Sequence, residues 1–188
     1  MQITAEKFLE EVKDHQVKIL KDDGLYRHLL VKQPNTICQS FNIVTTPNHL
    51  FYYGDMGSFS FSRTEDMFRF FRDDTLRINE GYWAEKLQSV DRCSGYRQFS
   101  FELFKSNLME YCQTDEQKIF MEDQLEYCDE DEYGAMEFYR SFDCSNSHGI
   151  TLDDFWEYTH NQPSHRYLWC CYALVWAIQE YDKLITQK

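Results

Sequence analysis

The sequence predicts an α+β fold: an N-terminal helix, a small antiparallel β-meander, and a helical C-terminal half around a buried C-terminal helix. Three observations carry that expectation. Period-two alternation of apolar residues fills residues 25–62, helical spacing and capping signatures replace it after Ser62, and the segment from Ser164 to Leu184 is apolar on nearly every side. The length of 188 residues fits one domain. Residues 1–98 would form the helix, the meander and short helices, and residues 99–188 an acidic helical part.

The elements follow in chain order. Phe8, Leu9, Val12, Ile19 and Leu20 have near-helical spacing and predict a first helix over Thr4 to Leu20, closed by the Asp23-Gly24 turn. The strands LYRHLLV, TICQSFNIV, HLFYY and SFSFS are separated by Gln33-Pro34-Asn35, Thr46-Pro47-Asn48 and Gly54-Asp55-Met56-Gly57. Connections this short favour an antiparallel meander. Ser62 with Glu65 reads as a capping box ahead of TEDMFRFFRDD, and Gly81 to Val90 reads as another helix. Ser100 opens a helix through Cys112, Thr114 with Gln117 caps a long acidic helix, and Thr151 with Asp154 starts the next.

Composition narrows the function classes. A hydrophobic fraction of 43% fills a core despite a net charge of −13, so the chain is expected to fold rather than stay disordered. The N-terminal residues lack a basic segment followed by an apolar one, and the apolar stretch from Tyr167 to Ile178 is shorter than the roughly 20 residues a bilayer span needs. A cytoplasmic protein without a membrane partner is expected. Seven cysteines with no CxxC pair predict reduced, mostly buried thiols.

The charge is unevenly placed. Residues 1–100 hold 14 acids and 13 bases, whereas residues 101–188 hold 18 acids and 6 bases. Wound as one helix, residues 115–130 put Asp115, Glu116, Glu122, Asp123, Glu126, Asp129 and Glu130 within about 140° of arc, with Phe120, Met121, Leu125, Tyr127 and Cys128 opposite. Asp131 and Glu132 extend the run. Such a face approaches the charge spacing of a nucleic-acid strand. A solvated helix surface accounts for the same residues, but self-repulsion between Glu122 and Glu126, and between Glu126 and Glu130, weighs against a purely structural role.

Other constellations carry less. The stretch from Asp143 to Asp154 has the outline of an EF-hand loop, yet Ser145, Ser147 and His148 replace the acids and the glycine it requires. A degenerate metal-binding regulatory module is therefore an alternative. Cys144, His148, His160 and His165 lack a second ligand pair for zinc. His49, Asp55 and Arg63 are candidate polar groups for a small enzyme of nucleotide or nucleic-acid metabolism, although no catalytic motif is present. Arg63, Arg69, Arg72, Arg77, Lys86, Arg92 and Arg97 make the middle of the chain locally basic, and with the acidic half they would allow homodimer formation.

From Asp23 to about Arg92, the segments DDGLYRHLLVKQP, FNIVTTPNHL, YYGDMGSFSFSRTEDMFRFFR and INEGYWAEKL together resemble a family of small uncharacterised proteins encoded by tailed phages and prophages. The resemblance carries no catalytic residues and does not include the acidic stretch. It implies a phage protein in an infected bacterial host, where accessory proteins of this size often act on host machinery. The expectation is a non-enzymatic, DNA-mimicking inhibitor of a host nucleic-acid-binding defence complex, anti-CRISPR or anti-restriction in type, with no cofactor and no direct nucleic-acid contact. Its binding face would be Asp115, Glu116, Glu122, Asp123, Glu126, Asp129, Glu130, Asp131 and Glu132, with Tyr111, Tyr127 and Tyr133 as aromatic anchors.

Overall fold

Thr4 accepts a hydrogen bond from the Lys7 amide and starts the first helix, but that helix stops at Val12 rather than running to Leu20. The computed structural model describes residues 3–186, in this order: α1 (Ala5–Val12), β1 (Gln16–Asp23), β2 (Tyr26–Lys32), β3 (Phe41–Thr46), β4 (His49–Gly54), β5 (Gly57–Ser62), α2 (Met67–Phe71), α3 (Glu80–Ala84), β6 (Leu87–Ser89), β7 (Arg97–Phe99), α4 (Phe101–Glu110), α5 (Asp115–Leu125), α6 (Glu132–Ser141), β8 (Asn161–Pro163) and α7 (His165–Thr186). The fold is α+β, with an antiparallel meander, an N-terminal helix and a helical C-terminal half that ends in the long α7.

The chain forms two compact units. The first comprises residues 1–96 and 163–188, and the second residues 97–162. The second unit is thus an insertion in the sequence of the first.

The first unit is a six-stranded sheet in the order β1 to β6, every described pairing antiparallel. Register places Val17 and Ile19 opposite Val31 and Leu29, then Phe41 and Ile43, then Tyr52, then Phe59. Strand alternation therefore gathers these side chains on one face, where Leu29, Val31, Phe41, Ile43, Tyr52 and Phe59 are almost fully buried. Helix α7 contacts both β1 and β5, so it crosses that face, and eleven of its 22 residues are buried. Trp169 fills the centre, edge-on to Phe8 and Phe41, and donates its indole N–H to Glu11 at 2.9 Å. The buried end helix thus shares its core with the sheet, not with α4 to α6.

The C-terminal parts of two expected helices are strands. Residues 16–23 pair with β2 and residues 87–89 pair with β5, because an edge of an otherwise complete sheet offers backbone partners that outweigh local helical spacing. Ser62 ends β5, and the cap of α2 is Asp66, whose carboxylate accepts from the Phe68 amide at 3.0 Å. Asp66 also takes two bonds from Arg27, at 2.9 and 3.2 Å. Burial alone would raise its carboxyl, but the Arg27 guanidinium outweighs that and holds it below the usual carboxylate range. Gly54 has no alternative in β4, since a Cβ there would collide with the backbone of Ser40 and Phe41.

All seven cysteines are free thiols; Cys112, Cys170 and Cys171 are buried, Cys128 is half-buried, and Cys38, Cys93 and Cys144 are exposed. Exposed thiols sit in turns and loops, so the expectation of mostly buried cysteines is corrected. Among the described residues no helix is long and apolar enough to cross a membrane.

Candidate functional site

The second unit concentrates the charge. Residues 97–162 carry 16 acids and 4 bases, a net −12, whereas the first unit carries 16 acids and 15 bases. Its core is aromatic and aliphatic: Phe104, Leu108, Met121, Leu125, Ala135, Ile150 and Phe155 are buried together. Three helices surround it, and each starts on a side-chain cap. Ser100 accepts from Leu103, Asp131 accepts from Gly134 at 2.7 Å, and Thr114 and Gln117 form a reciprocal capping box.

The long acidic helix is shorter than expected. Helix α5 ends at Leu125, with Glu126 as its C-cap, and residues 126–131 turn before α6 begins. The cause is local: Asp131 caps α6, and Gly134 lets the Asp129 backbone approach closer than a Cβ would permit. Asp129 and Glu130 therefore lie on this turn instead of extending the helical face. The Glu126 to Glu130 pair is not a helical i,i+4 pair either.

What remains on α5 is a compact face. Asp115, Glu116, Glu122, Asp123 and the capping Glu126 project within about 120° of arc at 3.6 residues per turn. All nine candidate carboxylates from Asp115 to Glu132 are solvent-exposed. Cationic relief is thin: Lys105 stands 3.9 Å from Glu122 and Lys118 4.0 Å from Asp115, both exposed. Such pairs contribute little. Glu116, Asp123, Glu126, Asp129, Glu130, Asp131 and Glu132 make no ion pair among the described residues.

Local physics explains some of these acids. Asp115, Glu116 and Glu132 lie in first helical turns, where the helix dipole favours negative charge, and Asp131 is a cap. Glu122, Asp123 and Glu126 are the opposite case. They crowd the C-terminal end of α5, which has no basic residue in its last turn, so they oppose both one another and the dipole.

The aromatic candidates divide. Tyr127 and Tyr133 are 87% and 71% exposed. Tyr111 instead packs against Phe155 and Tyr158 and donates its hydroxyl to the Asp153 carbonyl at 3.2 Å, so it serves the unit's own packing rather than standing free. Sequence reasoning missed Ile119. It is 68% exposed, and its helical angle falls inside the acidic arc, a signal that the wheel already contained. An apolar side chain ringed by carboxylates is what a desolvated contact requires.

The other constellations are separated or otherwise engaged. His49 opens β4 and Asp55 follows its other end, roughly 20 Å apart by strand rise, and Arg63 reaches the Tyr82 hydroxyl at 3.4 Å. The three polar groups do not converge on one pocket. Asp143 spends its carboxylate on Ser145 and Asn146 within a short 3-10 turn over Cys144–Asn146, and a second 3-10 turn over Phe155–Glu157 replaces the helix expected from Thr151. His160 is buried against Phe104 and Phe155 with Asn107 at 3.1 Å, rather than facing solvent. Among the described residues no three His, Cys, Asp or Glu side chains are placed to hold a metal ion.

The first unit carries a cleft of about 790 Å³ lined by Arg69, Arg72, Arg77, Phe70 and Tyr82. Two of its arginines are committed, Arg72 to Asp182 at 2.7 Å and Arg77 to Asp73 at 3.0 Å. Comparison of the chain with protein-family models, curated proteins and solved structures finds no match.

Proposed function

We propose that this chain is a non-enzymatic binding protein whose acidic second unit docks on the lysines and arginines of a host nucleic-acid-binding defence complex, of CRISPR or restriction type, and occludes its nucleic-acid channel. One observation carries the reading: Glu122, Asp123 and Glu126 crowd the end of α5 where helix dipole and neighbouring charge both oppose them, with the half-exposed Lys105, 3.9 Å from Glu122, as relief. Residues that break a local rule without a local gain point to a function elsewhere. The resemblance of residues 23–92 to phage proteins supplies the context, and the cytoplasm of an infected bacterium the place. Ile119 and Tyr127 supply the apolar anchors of the contact, and the carboxylates its steering and register.

The test is cleavage of labelled duplex DNA by purified CRISPR effectors and restriction complexes, with and without the protein. Inhibition of one complex should weaken as salt rises. A variant carrying Glu122→Gln, Asp123→Asn, Glu126→Gln and Asp129→Asn should lose it by about tenfold or more. No inhibition of any complex, or inhibition indifferent to the four amides, contradicts the reading.

A further inference from the structure

Helices α5 and α6, the turn between them and the segment after α6 line a groove of about 640 Å³ in the second unit. Its walls include the half-buried rings of Phe120, Phe138 and Phe142, and Tyr127 and Tyr133 stand at its rim, largely exposed. Asp129, Glu137 and Asp143 also line it, and no lysine or arginine does. Asp143 is engaged by Ser145 and Asn146, and Glu137 has only Arg140 at 3.7 Å. The groove therefore offers aromatic faces together with the unpaired Asp129 carboxylate and the loosely paired Glu137.

We propose that this groove receives an arginine side chain from a basic protein segment of the partner. The inference rests on the basic-partner reading above and names its anchor. Charge complementarity selects the occupant: an anionic ligand is repelled by three carboxylates on a unit of net −12, and a purely apolar segment covers Asp129 without giving it a partner. A guanidinium meets both features, because its plane stacks on aromatic rings and its fork takes a carboxylate through two hydrogen bonds. A lysine ammonium satisfies the charge without the planar fork. The volume exceeds one side chain, so the residues flanking the arginine fit beside it and continue onto the α5 carboxylates.

Calorimetric titration of the full chain with a nine-residue arginine-rich peptide, and with the same peptide carrying lysine in place of arginine, tests this. The arginine peptide should bind about three- to fivefold more tightly. Replacing the exposed Tyr127→Ala and Tyr133→Ala together should erase that preference and leave the lysine affinity nearly unchanged. The triple variant Glu122→Gln, Asp123→Asn, Glu126→Gln should weaken both peptides and keep their ratio. Equal affinities for the two peptides, or a preference that survives loss of both tyrosines, overturns the groove proposal while leaving a basic partner standing. Binding of neither peptide overturns both.

Discussion

The ammonium of Lys105 on α4 stands 3.9 Å from the carboxylate of Glu122 on α5, the one ion pair between two helices of the second unit among its described residues. Both groups are about half exposed, so the pair offsets little of the repulsion around it. Removing the charge should therefore stabilise the protein. The triple amide variant at Glu122, Asp123 and Glu126 should raise the melting temperature by about 2–4 °C in low salt, and by less in high salt, as measured by calorimetry. A fall in melting temperature would mean that these carboxylates support the fold.

Gly134 makes the turn before α6 feasible. A Cβ there meets the Asp129 carbonyl and side chain, so Gly134→Ala should cost about 1–2 kcal/mol despite the better helix propensity of alanine, measurable as a lower urea midpoint. The same change should reduce binding of an arginine peptide, since Asp129 and Gly134 both line the groove. Equal stability of wild type and variant would show that the turn relaxes freely.

Stability should also fall on mild acidification. Burial lowers the pKa of His160, which is 4% exposed, and likewise that of His15. Both therefore take up protons less readily in the folded state than in the unfolded chain, which does so near pH 6.5. Their contribution is full above that value and is lost as pH falls below it toward the folded pKa, by at most about 1.4 kcal/mol per pH unit for each histidine. Denaturant midpoints between pH 7.5 and 5.5 should decline, and a His160→Gln variant should decline less steeply. A flat profile in the wild type removes the effect.

Much of the fold was legible because its signals were local. Four central strands read directly from alternation, and Ser100 and the Thr114 and Gln117 box marked the starts of α4 and α5 correctly. The misread elements were set by partners distant in sequence. Val12 and Ile19, seven residues apart, fit a helix, but pairing of Val17 and Ile19 with Val31 and Leu29 makes the second part of that segment a strand. Leu87 is drawn into the sheet by Phe61. The acidic face was visible as composition, but its end at Leu125 depends on how closely Gly134 packs against Asp129, which no one-dimensional pattern displays. The groove was invisible for the same reason, since Phe120 and Phe142 meet only through the fold.

The most direct test of the binding face is a low-salt pull-down from host lysate with wild type and the four-residue amide variant side by side. An acidic docking surface predicts that wild type retains a nucleic-acid-binding defence complex, that the variant loses it, and that about 0.5 M salt releases it from wild type. Retention of the same proteins by both, or of none by either, would contradict it.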